Sequence, residues 1–175
     1  DVVRQAEHLE LDLVGVPLMR GGIGGGYARR AAAALDLVRR AYACAPDLQV
    51  AFGDLHLEHI KAWRDEHLPA ALCVPALTYP LWNEPYDALA ADLERSGVPC
   101  IISAVGADAA DASEFVKGIA VGETRFGREF MARAAAAGCD AFGERGEFHT
   151  LAHVWEVPRE QALGHDIKGS GGGVQ

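Results

Sequence analysis

The sequence lacks the features of a membrane protein, a disulfide-rich protein and a nucleic-acid-binding protein. Half of its 175 residues are hydrophobic, yet no uninterrupted apolar run approaches the roughly 20 residues that a membrane helix needs. Its four cysteines are far apart and form no CxxC pair, which favours reduced thiols. The net charge of −9 argues against a nucleic-acid surface, since such surfaces gather Lys and Arg. We therefore expect a cytoplasmic protein with neither membrane nor nucleic acid as a partner.

Apolar runs alternate with helical patterns along most of the chain. The runs predict strands over residues 13–18, 47–52, 98–105 and 150–157, and either a strand or a buried loop over residues 71–77. Helical spacing of apolar residues predicts helices over residues 1–11, 27–43, 54–68, 85–97 and 125–138. Such alternation is typical of βα units, so we expect an α/β fold with a mainly parallel sheet and helices on both faces.

The length of the chain favours one domain with a substantial core. We expect a single α/β domain over residues 1–168, followed by a flexible, glycine-rich tail over residues 169–175. In a parallel sheet, ligands bind in the loops that follow the carboxyl ends of the strands. A candidate site gains weight when it falls in such a loop.

The stretch GERGEFHT gathers two carboxylates, an imidazole and a hydroxyl behind two glycines. Its members are Gly143, Glu144, Gly146, Glu147, Phe148, His149 and Thr150, with Arg145 between the two pairs. Glycine before each carboxylate allows positive φ or close approach of the backbone to a ligand. The carboxylates could bind a cation or transfer protons, and the imidazole adds a second titratable group. We expect Glu144, Glu147 and His149 to be catalytic, with both glutamates exposed to a cleft and converging on one point.

Three other stretches are weaker candidates. FGDLHLEH over residues 52–59 offers Asp54 and two histidines, His56 and His59, whose spacing also suits a metal pair; an exposed polar helix face is the commoner outcome. TYPLWNEPY over residues 78–86 has aromatic groups that could stack on a base or simply pack in a loop. GGIGGG, residues 21–26, matches no phosphate-binding fingerprint and is typical of a flexible connection.

Taken in order, several segments resemble the diphthine–ammonia ligase family of PP-loop ATP pyrophosphatases. GERGEFHT is similar to the family signature GE-x-GE-[FY]-x-T. It is preceded, in the family's order, by GVPL (15–18), FGDLHLEHIKAWR (52–64), YPLW (79–82) and LERSGVPCIISAV (93–105). The resemblance covers most of residues 3–155 and implies a Rossmann-like fold of the adenine nucleotide alpha hydrolase type.

This resemblance implies an ATP-dependent, AMP-forming amide ligase. In the family, ATP activates a carbonyl oxygen as an adenylate, and ammonia displaces AMP to leave an amide. The implied partners are ATP, for which Mg²⁺ is a candidate companion, ammonia, and a small-molecule or protein-residue substrate. The implied nucleotide-binding part is about residues 1–105, and the substrate part is about residues 106–168. The positions that the family's motifs carry over to this chain are Gly143, Glu144, Gly146, Glu147 and Thr150, and more loosely Gly53 and Trp82. We expect substrate contacts at Gly143, Gly146, Thr150 and Trp82. We expect nucleotide contacts at Gly53 and at the polar side chains of Asp54 and His59 that follow it.

The family's SGGKDS phosphate loop does not occur in this sequence. By the family's spacing the match begins about two elements late, so we expect either an N-terminally truncated chain or a divergent member. A sheet without its first strand would carry an unprotected edge, which favours a homodimer. Two alternatives stay open: a non-catalytic nucleotide or small-molecule binding module, and a metal-dependent hydrolase. The hydrolase would use His149, His153, Glu144 and Glu147.

Overall fold

The computed structural model describes residues 1–17, 25–42 and 48–164, which form two compact units. Unit 2 is Leu13–Glu84, and unit 1 combines Asp1–Asp12 with the chain from Pro85 onward. The helices are α1 (Val2–Leu9), α2 (Gly25–Tyr42), α3 (Glu58–Leu72), α4 (Tyr86–Ser96), α5 (Ala107–Ala112), α6 (Glu114–Lys117), α7 (Arg128–Ala136), α8 (Arg159–Ala162) and a 3₁₀ helix (Val154–Glu156). The strands are β1 (Val50–Ala51), β2 (Leu77–Thr78), β3 (Cys100–Val105) and β4 (Phe148–Ala152).

Unit 2 contains a βαβ arrangement. Strands β1 and β2 are parallel, with Val50 opposite Leu77, and α3 connects them. The buried side chains of Leu68 and Leu72 lie four residues apart on α3, so they share the face that packs against α2. Arg39 of α2 donates to the carbonyl of Leu72 at 2.6 Å, which satisfies an orphan acceptor at the end of α3.

Unit 1 is built around an antiparallel pair of strands and helix α7. Strand β3 pairs with β4 and carries a register shift between Ile102 and Ala104. Ile102 and Phe148 are fully buried in these strands and pack in one core with Phe130 of α7. The Phe130 and Phe148 rings meet edge to face at 5.0 Å, a favourable aromatic geometry.

Helix α1 docks on the far end of β4 although it lies at the other end of the sequence. The Gln5 amide donates to the carbonyl of Ala152 at 2.7 Å, and the His8 imidazole donates to the carbonyl of Val157 at 3.0 Å. Arg4 lies over the Trp155 ring at 4.3 Å. These contacts assign α1 to unit 1.

The mixed helix-and-strand class expected from the sequence is confirmed, but the mainly parallel arrangement is not established. The structure is 50% helix and 11% strand, and the parallel ladder has two residues per strand. The prediction that residues 98–105 belong to a parallel sheet is wrong, since β3 pairs antiparallel with β4. A continuous apolar run is typical of a strand in a parallel sheet, but it does not determine which way the neighbouring strand runs.

Several predicted boundaries also differ. The strand expected over residues 150–157 ends at Ala152, because the chain turns at His153 into the 3₁₀ helix. Helix α3 begins three residues later than an Asp54 cap would place it, with Leu57 at its N-cap. The run at residues 13–17 has no regular structure. Residues 21–24 of GGIGGG and the tail at 169–175 lie outside the described residues, and the single-domain expectation stays a prediction.

Across the described ranges, no helix is both long enough and apolar enough to span a lipid bilayer.

Candidate functional site

In unit 2, aromatic and charged side chains gather where the two parallel strands end. Residues 52–54 follow β1, residues 79–82 follow β2, and α3 supplies the remaining members. We call this group the strand-end cluster; it consists of Phe52, Asp54, Lys61, Arg64, Asp65, Tyr79 and Trp82. It lies at the carboxyl ends of parallel strands, where α/β folds bind ligands.

The aromatic rings of the cluster form a continuous wall. Phe52 and Tyr79 stack with ring centroids 6.0 Å apart and planes at 27°. Trp82 meets Tyr79 edge to face at the same separation, 6.0 Å. The backbone N–H of Asn83 donates to the carbonyl of Leu55 at 2.7 Å, which joins the loop after β2 to the loop after β1. The wall therefore has a fixed geometry.

Each cation of the cluster lies between an aromatic face and a carboxylate. Arg64 is ion-paired with Asp54 and lies 4.3 Å from the centre of the Phe52 ring. The Lys61 Nζ atom is 2.6 Å from the Asp65 carboxylate and 4.7 Å from the centre of the Tyr79 ring. Both cations are thus neutralised within the cluster, and the surface is aromatic and polar without a net charge.

A hydrogen bond ties Tyr79 to the acidic member of α3. The Tyr79 hydroxyl donates to Asp65 Oδ1 at 2.8 Å. Burial, followed by this bond, raises the pKa of Tyr79 to about 12. The hydrogen bond from Lys61, the largest cause, lowers the pKa of Asp65 below its usual value. At neutral pH the tyrosine is a donor and the aspartate an acceptor.

Two of the four residues predicted here from sequence belong to the cluster. Asp54 and Trp82 are members through the contacts described above. Gly53 is exposed and a Cβ atom there would meet nothing within 4 Å, so packing does not require glycine. His59 is exposed on α3. The other five members were not predicted from the sequence. Three of them, Lys61, Arg64 and Asp65, are spaced so that they share one face of a helix, and this spacing could have identified them.

In unit 1, GERGEFHT forms part of a loop whose carboxylates bind its own backbone. We call residues 140–148 the double-glutamate loop. Glu147 is only 8% exposed. Its carboxylate accepts the backbone N–H of Asp140 at 2.7 Å through one oxygen and that of Arg145 at 3.1 Å through the other. The expectation that Glu147 is exposed to a cleft is therefore wrong, because both of its oxygens stabilise the turn.

Asp140 has a similar role and was not predicted. It is 8% exposed, and its Oδ1 atom accepts the backbone N–H groups of Phe142 at 2.8 Å and Glu144 at 3.3 Å. The Tyr86 hydroxyl donates to the same carboxylate at 3.0 Å. Burial and then this bond raise the pKa of Tyr86 above its ordinary value. An aspartate shortly after a helix end and before a glycine is a turn signal that the sequence offered.

The two glycines of the loop are explained by backbone geometry. Gly143 and Gly146 have φ angles of 75° and 85°, so the predicted positive φ is confirmed at both positions. A Cβ atom on Gly143 would lie 2.6 Å from the carbonyl oxygen of Phe148 and 2.9 Å from its ring. A Cβ atom on Gly146 would meet nothing within 4 Å. The first glycine is required by packing as well as conformation, the second by conformation alone.

Glu144 is the loop carboxylate that remains available. It is half-buried, and within the described ranges its carboxylate makes no hydrogen bond or ion pair. His149 and Thr150 are exposed on β4. The carbonyl of His149 accepts a hydrogen bond from the Ser103 hydroxyl at 3.2 Å. Of the three predicted catalytic side chains, two are therefore accessible to a ligand and one is not.

The residues proposed for a hydrolase do not assemble into a metal site. The imidazole of His153 is bonded to Glu156 at 2.7 Å and stacked on Trp155 at 4.6 Å. In the part of the chain that the structure describes, no three His, Cys, Asp or Glu side chains are placed to hold a metal ion. The pair His56 and His59 thus lacks a third donor there.

No protein-family model matches this chain, and comparison with curated proteins also finds no match. The resemblance to the diphthine–ammonia ligase family, with its ATP and ammonia chemistry, therefore stays a prediction.

Proposed function

We propose that the chain is a nucleotide-binding protein of the AMP-forming amide ligase type, with the strand-end cluster holding the nucleotide. The proposal includes a Rossmann-like sheet of which β1 and β2 are part. The observation that carries it is the convergence of Asp54 and Trp82. These residues come from two separate sequence motifs and lie in one contact cluster at the carboxyl ends of parallel strands.

The chemistry of the cluster suits a purine. The half-buried Trp82 ring meets Tyr79 edge to face, and it offers a face on which a base can stack. Lys61 and Arg64 are already paired with carboxylates, so a phosphate chain gains little from them. AMP and ATP should then bind with similar affinity. Asp54 and Asp65 are engaged in the same way, so Mg²⁺ would arrive with the triphosphate and not on these carboxylates.

Glu144 is the residue best suited to the ammonia half of the reaction. Its carboxylate is unengaged within the described ranges, and a carboxylate can bind an ammonium ion or accept a proton. As ammonia attacks the activated carbonyl carbon, a C–N bond forms, the bond to AMP breaks, and one proton leaves the nitrogen. Glu144 is proposed to take that proton, with His149 and Thr150 on the adjacent strand contacting the substrate.

Titration calorimetry with AMP and ATP tests the nucleotide site. Trp82→Ala should weaken binding of both by about 5- to 150-fold, because base–aromatic stacking contributes about 1–3 kcal/mol. Leu81→Ala is the matched control, since this neighbour is 40% exposed and belongs to no aromatic contact of the cluster. Absence of binding by the unchanged protein, or equal effects of the two substitutions, would rule out the site.

One observation favours a second candidate, a non-catalytic binding module of the same fold. Glu147, expected to be catalytic, is buried and bonded to the backbone of its own loop. The two candidates differ in the fate of ATP. A ligase releases AMP from ATP when ammonium and a suitable carboxylic acid are supplied, and Glu144→Gln slows that release without changing nucleotide affinity. A binding module releases none.

A further inference from the structure

Two carboxylates of the double-glutamate loop, not one, accept hydrogen bonds from its backbone. Glu147 already joins two points of the loop, the N–H groups of Asp140 and Arg145. Asp140 adds a second set of bonds, to the N–H groups of Phe142 and Glu144. Two of the three loop carboxylates thus bind the backbone, and the third, on Glu144, sits on a residue held by one of them.

The second set of bonds is anchored from outside the loop. Tyr86 begins α4, and its hydroxyl lies 3.0 Å and 3.1 Å from the two oxygens of Asp140. Its ring packs against Phe142 with centroids 4.5 Å apart. Helix α4 therefore fixes both the Asp140 carboxylate and the chain segment that leads to Glu144.

We infer that Asp140, held by the Tyr86 hydroxyl, is the positioning residue that fixes Glu144 for its chemistry. The inference rests on the proposed function for what Glu144 does, but not for how Glu144 is held. Neither residue has to touch a substrate in this role. Asp140 acts through the Glu144 backbone N–H, and Tyr86 acts through Asp140.

Hydrogen exchange of individual amides in the whole chain, measured by NMR, tests how Glu144 is held. Tyr86→Phe keeps the ring against Phe142 and removes only the hydroxyl. We expect the amides of Phe142 and Glu144 to exchange about 5- to 10-fold faster, since one supporting hydrogen bond is lost. Amides of β3 and α7 should be unchanged. Phe115→Leu, which loosens packing against Phe130, is the control for a general loss of stability.

Two substitutions of Asp140 with side chains of similar size distinguish a role as hydrogen-bond acceptor from a role in packing. Asp140→Asn keeps one acceptor oxygen, so it should preserve most of the protection at the Glu144 amide. Asp140→Leu keeps the volume without an acceptor and should remove that protection. Equal exchange in the two variants, or unchanged exchange in Tyr86→Phe, would overturn the inference, as would acceleration spread evenly over unit 1.

An activity measurement separates this inference from the proposed function. In AMP release from ATP with ammonium chloride and the same carboxylic acid, Tyr86→Phe should raise KM for ammonium several-fold and leave nucleotide affinity unchanged. An unaltered KM alongside faster Glu144 exchange would overturn the positioning role. If the unchanged protein bound no nucleotide and released no AMP, the proposed function would fall, and the exchange pattern alone would still decide whether Asp140 fixes Glu144.

Discussion

The strand-end cluster and the double-glutamate loop use similar residue types in opposite ways. In the cluster, carboxylates bind the side chains of Arg64 and Lys61, and the aromatic faces remain partly exposed. In the loop, the carboxylates of Asp140 and Glu147 bind backbone N–H groups and are buried. The first arrangement leaves a surface that a ligand can reach, whereas the second mainly fixes the path of the chain.

The contrast shows that an unusual sequence motif can reflect the backbone conformation of a turn and not a binding site. A glycine followed by a glutamate is what a tight turn needs when the glycine takes positive φ and the carboxylate collects the N–H groups that the turn leaves unpaired. Gly146 and Glu147 meet that description. Glu144, which follows Gly143, does not: within the described ranges its carboxylate bonds no N–H group of the turn.

The largest expected effect on stability is a difference between substitutions of the two loop glycines. Gly143→Ala should lower the free energy of unfolding of unit 1 by about 2–4 kcal/mol, because it adds left-handed strain to a clash with Phe148. Gly146→Ala should cost about 1–2 kcal/mol, since only the strain applies. Gly53→Ala, next to the cluster, should change little, because a Cβ atom there meets nothing within 4 Å. Urea unfolding of the three variants gives the order, and equal values for the two loop glycines would contradict it.

A smaller effect separates the two glutamates of the motif. Glu147→Gln should lower the free energy of unfolding by about 1–3 kcal/mol, because an amide presents one acceptor oxygen where the carboxylate presents two. Glu144→Gln is the matched control in the same loop and should stay within about 0.5 kcal/mol. Thermal unfolding of both variants measures the difference. A stable Glu147→Gln protein that has lost AMP release would restore Glu147 as a catalytic residue.

The smallest expected effect concerns Tyr79 at high pH. The pKa of Tyr79 is raised from 10.0 to about 12, chiefly by burial, so folding favours the neutral phenol. That contribution is complete below about pH 10 and is lost as pH rises through about 12. Tyr79→Phe should therefore flatten the fall of stability across this window. Tyr27→Phe, a tyrosine of the same unit outside the cluster, is the control, and identical pH curves for all three proteins would show that Tyr79 does not contribute.

Local structure was largely predictable where a single residue decides it. Helix α4 ends where Gly97, with a φ of 66°, takes the left-handed conformation, as its sequence indicated. The direction of β3 was not predictable, because it depends on Phe148 and its neighbours, which are distant in sequence. Helices α5 and α6 were missed because they are short and lack a clear apolar period.

Some residues of the candidate sites could be predicted from the sequence, and others could not. Asp54 and Trp82 could be singled out because each follows a predicted strand. The role of Glu147 could not, since its burial depends on how the loop folds back on Asp140. The bond from Tyr86 to Asp140 joins residues 54 positions apart, and no local pattern encodes such a contact.

The division of unit 1 into two stretches of sequence bears on the order in which the protein is made. Gln5 and its partner Ala152 are 147 positions apart, and His8 and Val157 are 149 apart. A ribosome produces α1 before unit 2, and it produces the strand on which α1 docks only after unit 2. The contacts of α1 must therefore form after translation has passed β4. A nascent chain arrested before residue 148 would carry every residue of unit 2 while its first helix still lacked a docking surface.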